Sequence, residues 1–176
     1  MLFLLFQLGD DRYALEASRV VEVVPLLALK QIPQTAPGFA GIFSYRGRPV
    51  PAIDLCQLTL GVPARERLST RIIIVSCPDR QDSGSPSPWP SPPGEGIHGR
   101  GNSGARLVGL IAEQVTEMIR KDASEFSESG FNVRGAPYLG PVLFDQRGTI
   151  QWIHEQKLLT DNVREIVFSE AMQLTA

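Results

Sequence analysis

Between Cys77 and Ala105 the chain nearly runs out of large hydrophobic side chains. Trp89 and Ile97 are the only two, and Pro, Ser and Gly dominate the rest. Such a stretch buries too little apolar surface to offset the entropy of ordering it. Any core must therefore come from the residues before 78 and after 104, with 78–104 as a flexible insertion. Inside it, Gly94-Glu95-Gly96-Ile97-His98-Gly99 spells G-x-G-x-x-G. That motif holds a pyrophosphate only when a strand leads in and a helix leads out. Here Pro90-Ser91-Pro92-Pro93 precedes it and Arg100-Gly101-Asn102-Ser103-Gly104 follows, so the spacer reading outweighs a nucleotide-binding one. A Trp89 docking motif within the Pro-rich run is a lesser alternative.

The flanking segments are rich in strand signals. Met1 to Phe6 is apolar, too short to span a membrane and without the basic flank of a signal peptide, so it reads as a buried strand. Gly9 to Arg12 reads as a turn, Tyr13 and Leu15 as a half-buried strand, and Val20 to Val24 as a β-branched strand stopped by Pro25. Gly41 to Tyr45 and Val50 to Ile53 read as a hairpin around Arg46-Gly47-Arg48-Pro49, with Pro51 arguing for an edge position. Asp54 and Gln57 resemble a capping box, and Gly61 closes the short helix they open. Residues 71–77 and 105–112 form a second hairpin with the insertion at its tip. The stretch from Ala105 to Ile119 is a strand pair or one long bent strand, and a third hairpin turns at Asp145 to Gly148. Val163, Ile166, Val167, Ala171 and Leu174 fall at helical spacing over 161–174, with Asn162 and Glu165 as a cap. No internal repeat is evident. The class is mostly β, of small-barrel type, with short helices and a C-terminal helix.

The chemistry of catalysis is not visible. His98 lies in the insertion, and His154 reads as the outward residue of a half-buried strand. Cys56 reads as a small core residue. No nucleophile elbow, HExxH or P-loop occurs, so the expectation is no enzyme, no cofactor and no metal. A net charge of −2 and 7% aromatic content argue against nucleic acid as a partner. Cys56 and Cys77, with no signal peptide, fit a reducing cytoplasm.

The stretch Tyr45-Arg-Gly-Arg-Pro-Val-Pro-Ala-Ile-Asp-Leu55 resembles the hallmark of the CheW family of adaptors, an Arg-Gly turn followed by an apolar-Pro strand ending in Asp-Leu. The resemblance extends over residues 3–160 apart from the insertion. "FLLFQLGDDRYAL", "RVVEVV", "IPQTAPGFAGIFSYRG", "RLVGLIAEQVTEMI" and "EQKLL" carry it in order. It implies a CheW-like domain over about 2–160, built as two SH3-like five-stranded β-barrel lobes. The first lobe would hold about 7–77, and the second about 105–160 plus the first strand, with a C-terminal helix over 161–176. It implies a non-enzymatic adaptor between a methyl-accepting chemoreceptor and a CheA-type histidine kinase. Such a protein is cytoplasmic and recruited to membrane-associated receptor arrays without inserting into the membrane. The family's receptor-facing groove falls on Val20, Glu22, Gly41 and Arg46, and a kinase-facing position on Gly109. Each has a plainer structural reading: core for Val20, relief of crowding for Gly41, a solvated strand residue for Glu22, a turn residue for Arg46. Chemotaxis members more often carry Asn-Leu where this chain has Ser44-Tyr45. "VVPLLALKQIP", "RLSTRIIIV" and "APYLGPV" look more like the adaptors of Wsp-type systems, which drive cyclic-di-GMP synthesis; a pilus-linked adaptor is the alternative.

Overall fold

A computed structural model describes residues 1–33, 35, 37–77, 106–128 and 136–158. The insertion and the expected C-terminal helix over 161–176 lie outside the described residues. Among those described, nine strands form one continuous sheet. They are β1 (Leu2–Leu8), β2 (Asp11–Glu16), β3 (Val20–Pro25), β4 (Phe39–Tyr45), β5 (Arg48–Asp54), β6 (Arg71–Cys77), β7 (Arg106–Arg120), β8 (Leu139–Asp145) and β9 (Gly148–Ile153). Helix α1 (Leu55–Leu60) follows β5, and the single turn α2 (Glu155–Leu158) follows β9.

The sheet divides at β7. Its first half pairs with β6 and, in parallel, with β5; its second half pairs with β1. Between them Gln114 takes φ +46°, the bend of a long strand that serves both lobes. One lobe holds β3, β6, the first half of β7, β5 and β4. The other holds the second half of β7 with β1, β2, β9 and β8. This grouping differs from the expected one. β2 pairs with β1 and β9, so it stands with the second lobe, and residues 106–112 stand with the first.

The apolar runs of β1 and β6 follow from burial on both faces. In β6, Ile72 and Ile74 point into the first lobe's own core with Phe43, Tyr45 and Val50. Ile73, Val75 and Cys77 point the other way, into a core shared with β1 and β2. β1 mirrors this, with Phe3 and Leu5 in the second lobe's core and Leu4, Phe6 and Leu8 in the shared one. The shared core is the most extensive of the three, so the lobes fold as one body.

The lobes repeat each other register by register. Phe39↔Ile53, Phe43↔Val50 and Tyr45↔Arg48 in the first hairpin recur as Leu139↔Ile153, Leu143↔Ile150 and Asp145↔Gly148 in the other. Glu22↔Ile74 and Val24↔Ile72 recur as Glu117↔Leu5 and Ile119↔Phe3. A lone bridge, Lys30↔Ile42 in one lobe and Ser127↔Val142 in the other, ties the connecting segment to the hairpin. The repeat is hidden in the sequence because it is permuted. The chain begins inside the second lobe, so that lobe's strands come from both ends of the described chain.

Local expectations fare as follows. Asp54 accepts from Gln57 N at 3.0 Å and from Ala64 N at 2.8 Å, and Gly61 takes φ +74° at the helix end. Gln57 does not return the bond; its side chain donates to Gly61 O instead. Pro51 does not mark an edge strand, since β5 is flanked on both sides from Ala52 onward. The proline stands just outside that parallel ladder, where its missing N–H costs nothing on that side. His154 lies past the end of β9, half-buried against Trp152 and not turned outward on the strand. Cys56 is buried, and burial pushes its thiol up to about 11.

Candidate functional site

The hairpin joining β4 and β5 turns through two residues, Arg46 at φ +51° and Gly47 at φ +77°. Two consecutive positive φ values make the tight turn that matches strand twist. Glycine takes this conformation without cost; an arginine does not. A non-glycine residue held there is local strain, and strain that persists points toward function. The Arg46 side chain, 75% exposed, reaches Glu22 on β3, and its Nη2 donates to Glu22 Oε2 at 2.9 Å. The guanidinium also lies over the Tyr45 ring, 5.1 Å from its centroid.

Tyr45 completes the cluster. Its ring belongs to the first lobe's core, and its hydroxyl donates to the same Glu22 oxygen that Arg46 uses. The Tyr45 hydroxyl, more than Arg46, holds the Glu22 carboxyl below the usual carboxylate range; bonded to that carboxylate, the phenol is raised in turn. Glu22 Oε1 has no protein partner among the described residues. The arrangement is a fixed surface carboxylate with one oxygen open to a partner, beside an exposed guanidinium with further N–H donors.

The other expected residues fall elsewhere. A bulge in β3 between Val20 and Glu22 turns them to opposite faces: Val20 packs against the shared core, while Glu22 stands on the side of Ile74 and Val24. Gly41 sits at a bulge with φ +137°, and a Cβ there would meet Lys30 O at 2.6 Å. It lets the segment after β3 close against β4. Gly109 is buried in β7, and a Cβ would meet Phe43 at 2.6 Å and Ile72 at 2.7 Å. It offers no surface of its own and acts through packing. The structure thus brings Glu22 and Arg46 together and leaves Val20, Gly41 and Gly109 as parts of the frame. Sequence reasoning passed over Tyr45. The available signal was an aromatic residue directly before an Arg-Gly turn, on the strand that follows one carrying an acidic residue.

A groove of about 440 Å³ lies between the segment after β3, α1 and the loop before β6, lined by Leu26, Leu29, Ile32, Phe39 and Pro63, with Glu66 at its side. Among the described residues no group of three or more His, Cys, Asp or Glu is placed to hold a metal ion, and no helix is long and apolar enough to cross a membrane.

Comparison with known proteins covers most of the chain. A family model described as a CheW-like domain matches residues 2–163. The chemotaxis protein CheW of Helicobacter pylori (strain ATCC 700392 / 26695) is 31% identical over 74 residues, 42% of this chain and 44% of that protein. The chain thus matches under half the length of that curated relative. The crystal structure of the scaffolding protein TtCheW from Thermoanaerobacter tengcongensis superposes with a TM-score of 0.69 at 22% identity, covering 92% of this chain and 89% of that one. That likeness shows the fold.

Proposed function

The chain belongs to the CheW-like family, and from that premise we propose that it is a non-enzymatic adaptor coupling a methyl-accepting chemoreceptor to a CheA-type histidine kinase. The observation that carries the residue-level proposal is the Glu22–Tyr45–Arg46 cluster. It combines a strained arginine, an ion pair at the surface and an oxygen left open. Charge complementarity at such a site sets partner choice more than fold stability. Glu22 and Arg46 are the receptor-contacting residues of this proposal. Val20 and Gly41 support them from the core and from the closure of β4. The kinase-facing surface is proposed on the second lobe, where Met118 and Phe144 are exposed large apolar side chains, with Gly109 acting only through the packing of β7. The protein works in the cytoplasm, at receptor arrays, without a cofactor.

The finer proposal is a Wsp-type branch with cyclic-di-GMP as output, supported by the three stretches named above. The test is a pull-down from native lysate with the wild-type chain, Glu22→Lys and Arg46→Glu. The wild type should recover a receptor and a histidine kinase, and the variants should keep the kinase and lose the receptor. The output domain of the partner response regulator separates the Wsp-type, flagellar and pilus branches. Recovery of neither protein by the wild type would sink the adaptor reading.

A further inference from the structure

We infer that Tyr45 is a positioning residue of the receptor-facing site, holding Glu22 and Arg46 in one fixed arrangement through its hydroxyl and its ring face. This deepens the reading above and rests on it. Three observations support the inference. The Tyr45 body is anchored, 8% exposed in the first lobe's core, so its hydroxyl is delivered from a rigid base and not from a loop. That hydroxyl and Arg46 Nη2 meet on one oxygen, Glu22 Oε2, which fixes the carboxylate and leaves its other oxygen without a protein partner among the described residues. The guanidinium is held a second time by the ring, at 5.1 Å.

The second lobe shows what the tyrosine adds. The register position of Tyr45 is occupied there by Asp145, and that of Glu22 by Glu117. There Arg147, which stands at the register position of Gly47, donates to both Glu117 oxygens, at 3.2 and 3.3 Å. Tyr45 and Arg46 instead share one Glu22 oxygen, so the other keeps no protein partner among the described residues. A partner that donates a hydrogen bond to Glu22 Oε1 and accepts one from Arg46 fits this arrangement.

Tyr45→Phe removes the hydroxyl and keeps the ring. The probe is the cytoplasmic fragment of the chemoreceptor recovered with the wild-type chain, titrated by calorimetry. A carbon-detected NMR titration follows the Glu22 carboxyl in the free protein. The expected result is an unchanged melting profile, a Glu22 titration moved up toward the ordinary carboxylate range, and receptor affinity lowered about fivefold. Kinase binding should be unchanged. If the Glu22 titration moves and receptor affinity does not, Tyr45 is only structural and the inference is overturned while the site reading stands. If Glu22→Gln and Arg46→Glu also bind receptor normally, or the wild type recovers no receptor, the site reading fails and the inference fails with it. A Glu22 titration that does not move overturns the contact itself.

Discussion

The two lobes share one strand register and differ in how their hairpin turns are finished. In the first, Arg46 and Gly47 both take positive φ; in the second, Gln146 and Arg147 do not, and Gly148 takes φ +112° one position later. In the first, Glu22 is bonded on one oxygen by two residues. In the second, Arg147 covers both oxygens of Glu117, its backbone N–H donates to Asp145 at 2.7 Å, and Asp145 in turn accepts from both Arg12 Nη atoms. The second lobe's turn is a closed network in which each charge is spent on another. The first lobe's turn costs backbone strain and keeps an acceptor free. The same frame supports a closed clamp in one place and an open acceptor, the proposed recognition site, in the other.

The largest expected effect lies in the frame. Gly109 and Ala14 hold equivalent positions, opposite Ile74 in β6 and Leu5 in β1. In the first lobe Phe43 and Ile72 close over the glycine; in the second an alanine is accommodated. Gly109→Ala should therefore destabilise the protein by about 2 kcal/mol through overpacking. Ala14→Gly should cost about 1 kcal/mol through lost packing and a freer backbone. Urea melts measure both. Equal, small costs would mean that the two cores are interchangeable and that the crowding at Gly109 relaxes.

Next in size is the contrast between the arginines. Arg46→Glu should weaken receptor binding tenfold or more, since it places like charges together at an interface, where the penalty reaches several kcal/mol. Arg147→Glu places the same charges together in the second lobe and should leave receptor binding within about twofold, because no open acceptor is lost there. Receptor-stimulated kinase activity and direct binding on the same preparations separate the two. Equal losses would erase the distinction between clamp and site.

Much of this was legible beforehand. The hairpins, the cap at Asp54 and the Arg-Gly turn depend on short-range chemistry: alternation, a side-chain acceptor before a helix, glycine after an arginine. Grouping the strands was harder. β2 looks like a neighbour of β3 in sequence, yet it pairs with β9 from the other end of the described chain, and nothing local to Asp11–Glu16 encodes that. The apolar face of β1 likewise does not say which of two cores receives it. At the site, Glu22 and Arg46 could be singled out, but their separation from Val20 depends on a bulge, one extra residue whose cause lies in the pairing with β6. Tyr45 escaped notice because an aromatic at a strand end is explained by packing alone; its second role appears only with the hydroxyl's partner in view.

A smaller effect concerns acid stability of the clamp. Bonding to Arg12, and after it the Arg147 N–H, holds the Asp145 carboxyl below its ordinary value. A carboxyl depressed on folding stabilises the native state above its unfolded pKa, near 3.9, and that contribution is lost as pH falls through the folded value. The pair is part-exposed, with side-chain exposure of 14% for Arg12 and 30% for Asp145, and solvent screening holds the contribution to about 1 kcal/mol. Arg12→Ala should lower stability at pH 6 and leave it nearly unchanged at pH 2. A loss that persists at pH 2 would mean that Arg12 acts through packing and not through charge.

The smallest effect sets Asp54 against His154. They are equivalent: Asp54 N donates to Gly38 O, and His154 N donates to Tyr138 O at 2.9 Å. Asp54 uses its side chain to cap α1, whereas His154 lays its ring against Trp152 and over Gly140, where a Cβ would meet Nε2 at 2.5 Å. Burial, seconded by Lys157, lowers the His154 pKa, while Glu155, Glu128 and Glu16 oppose the shift. A histidine whose pKa is depressed on folding binds its proton more readily when unfolded. Stability is then fully present above the unfolded pKa, near 6.5, and declines as pH falls below it toward the folded value. His154→Gln keeps a polar ring-sized side chain without the titration. Its stability should be flatter than that of the wild type between pH 7 and pH 5, the two curves drawing together as the pH falls. Chemical melts across that range measure it. Parallel curves would mean that the ring escapes to solvent on protonation at no cost, and that the half-buried position against Trp152 is not what distinguishes this lobe from the one capped by Asp54.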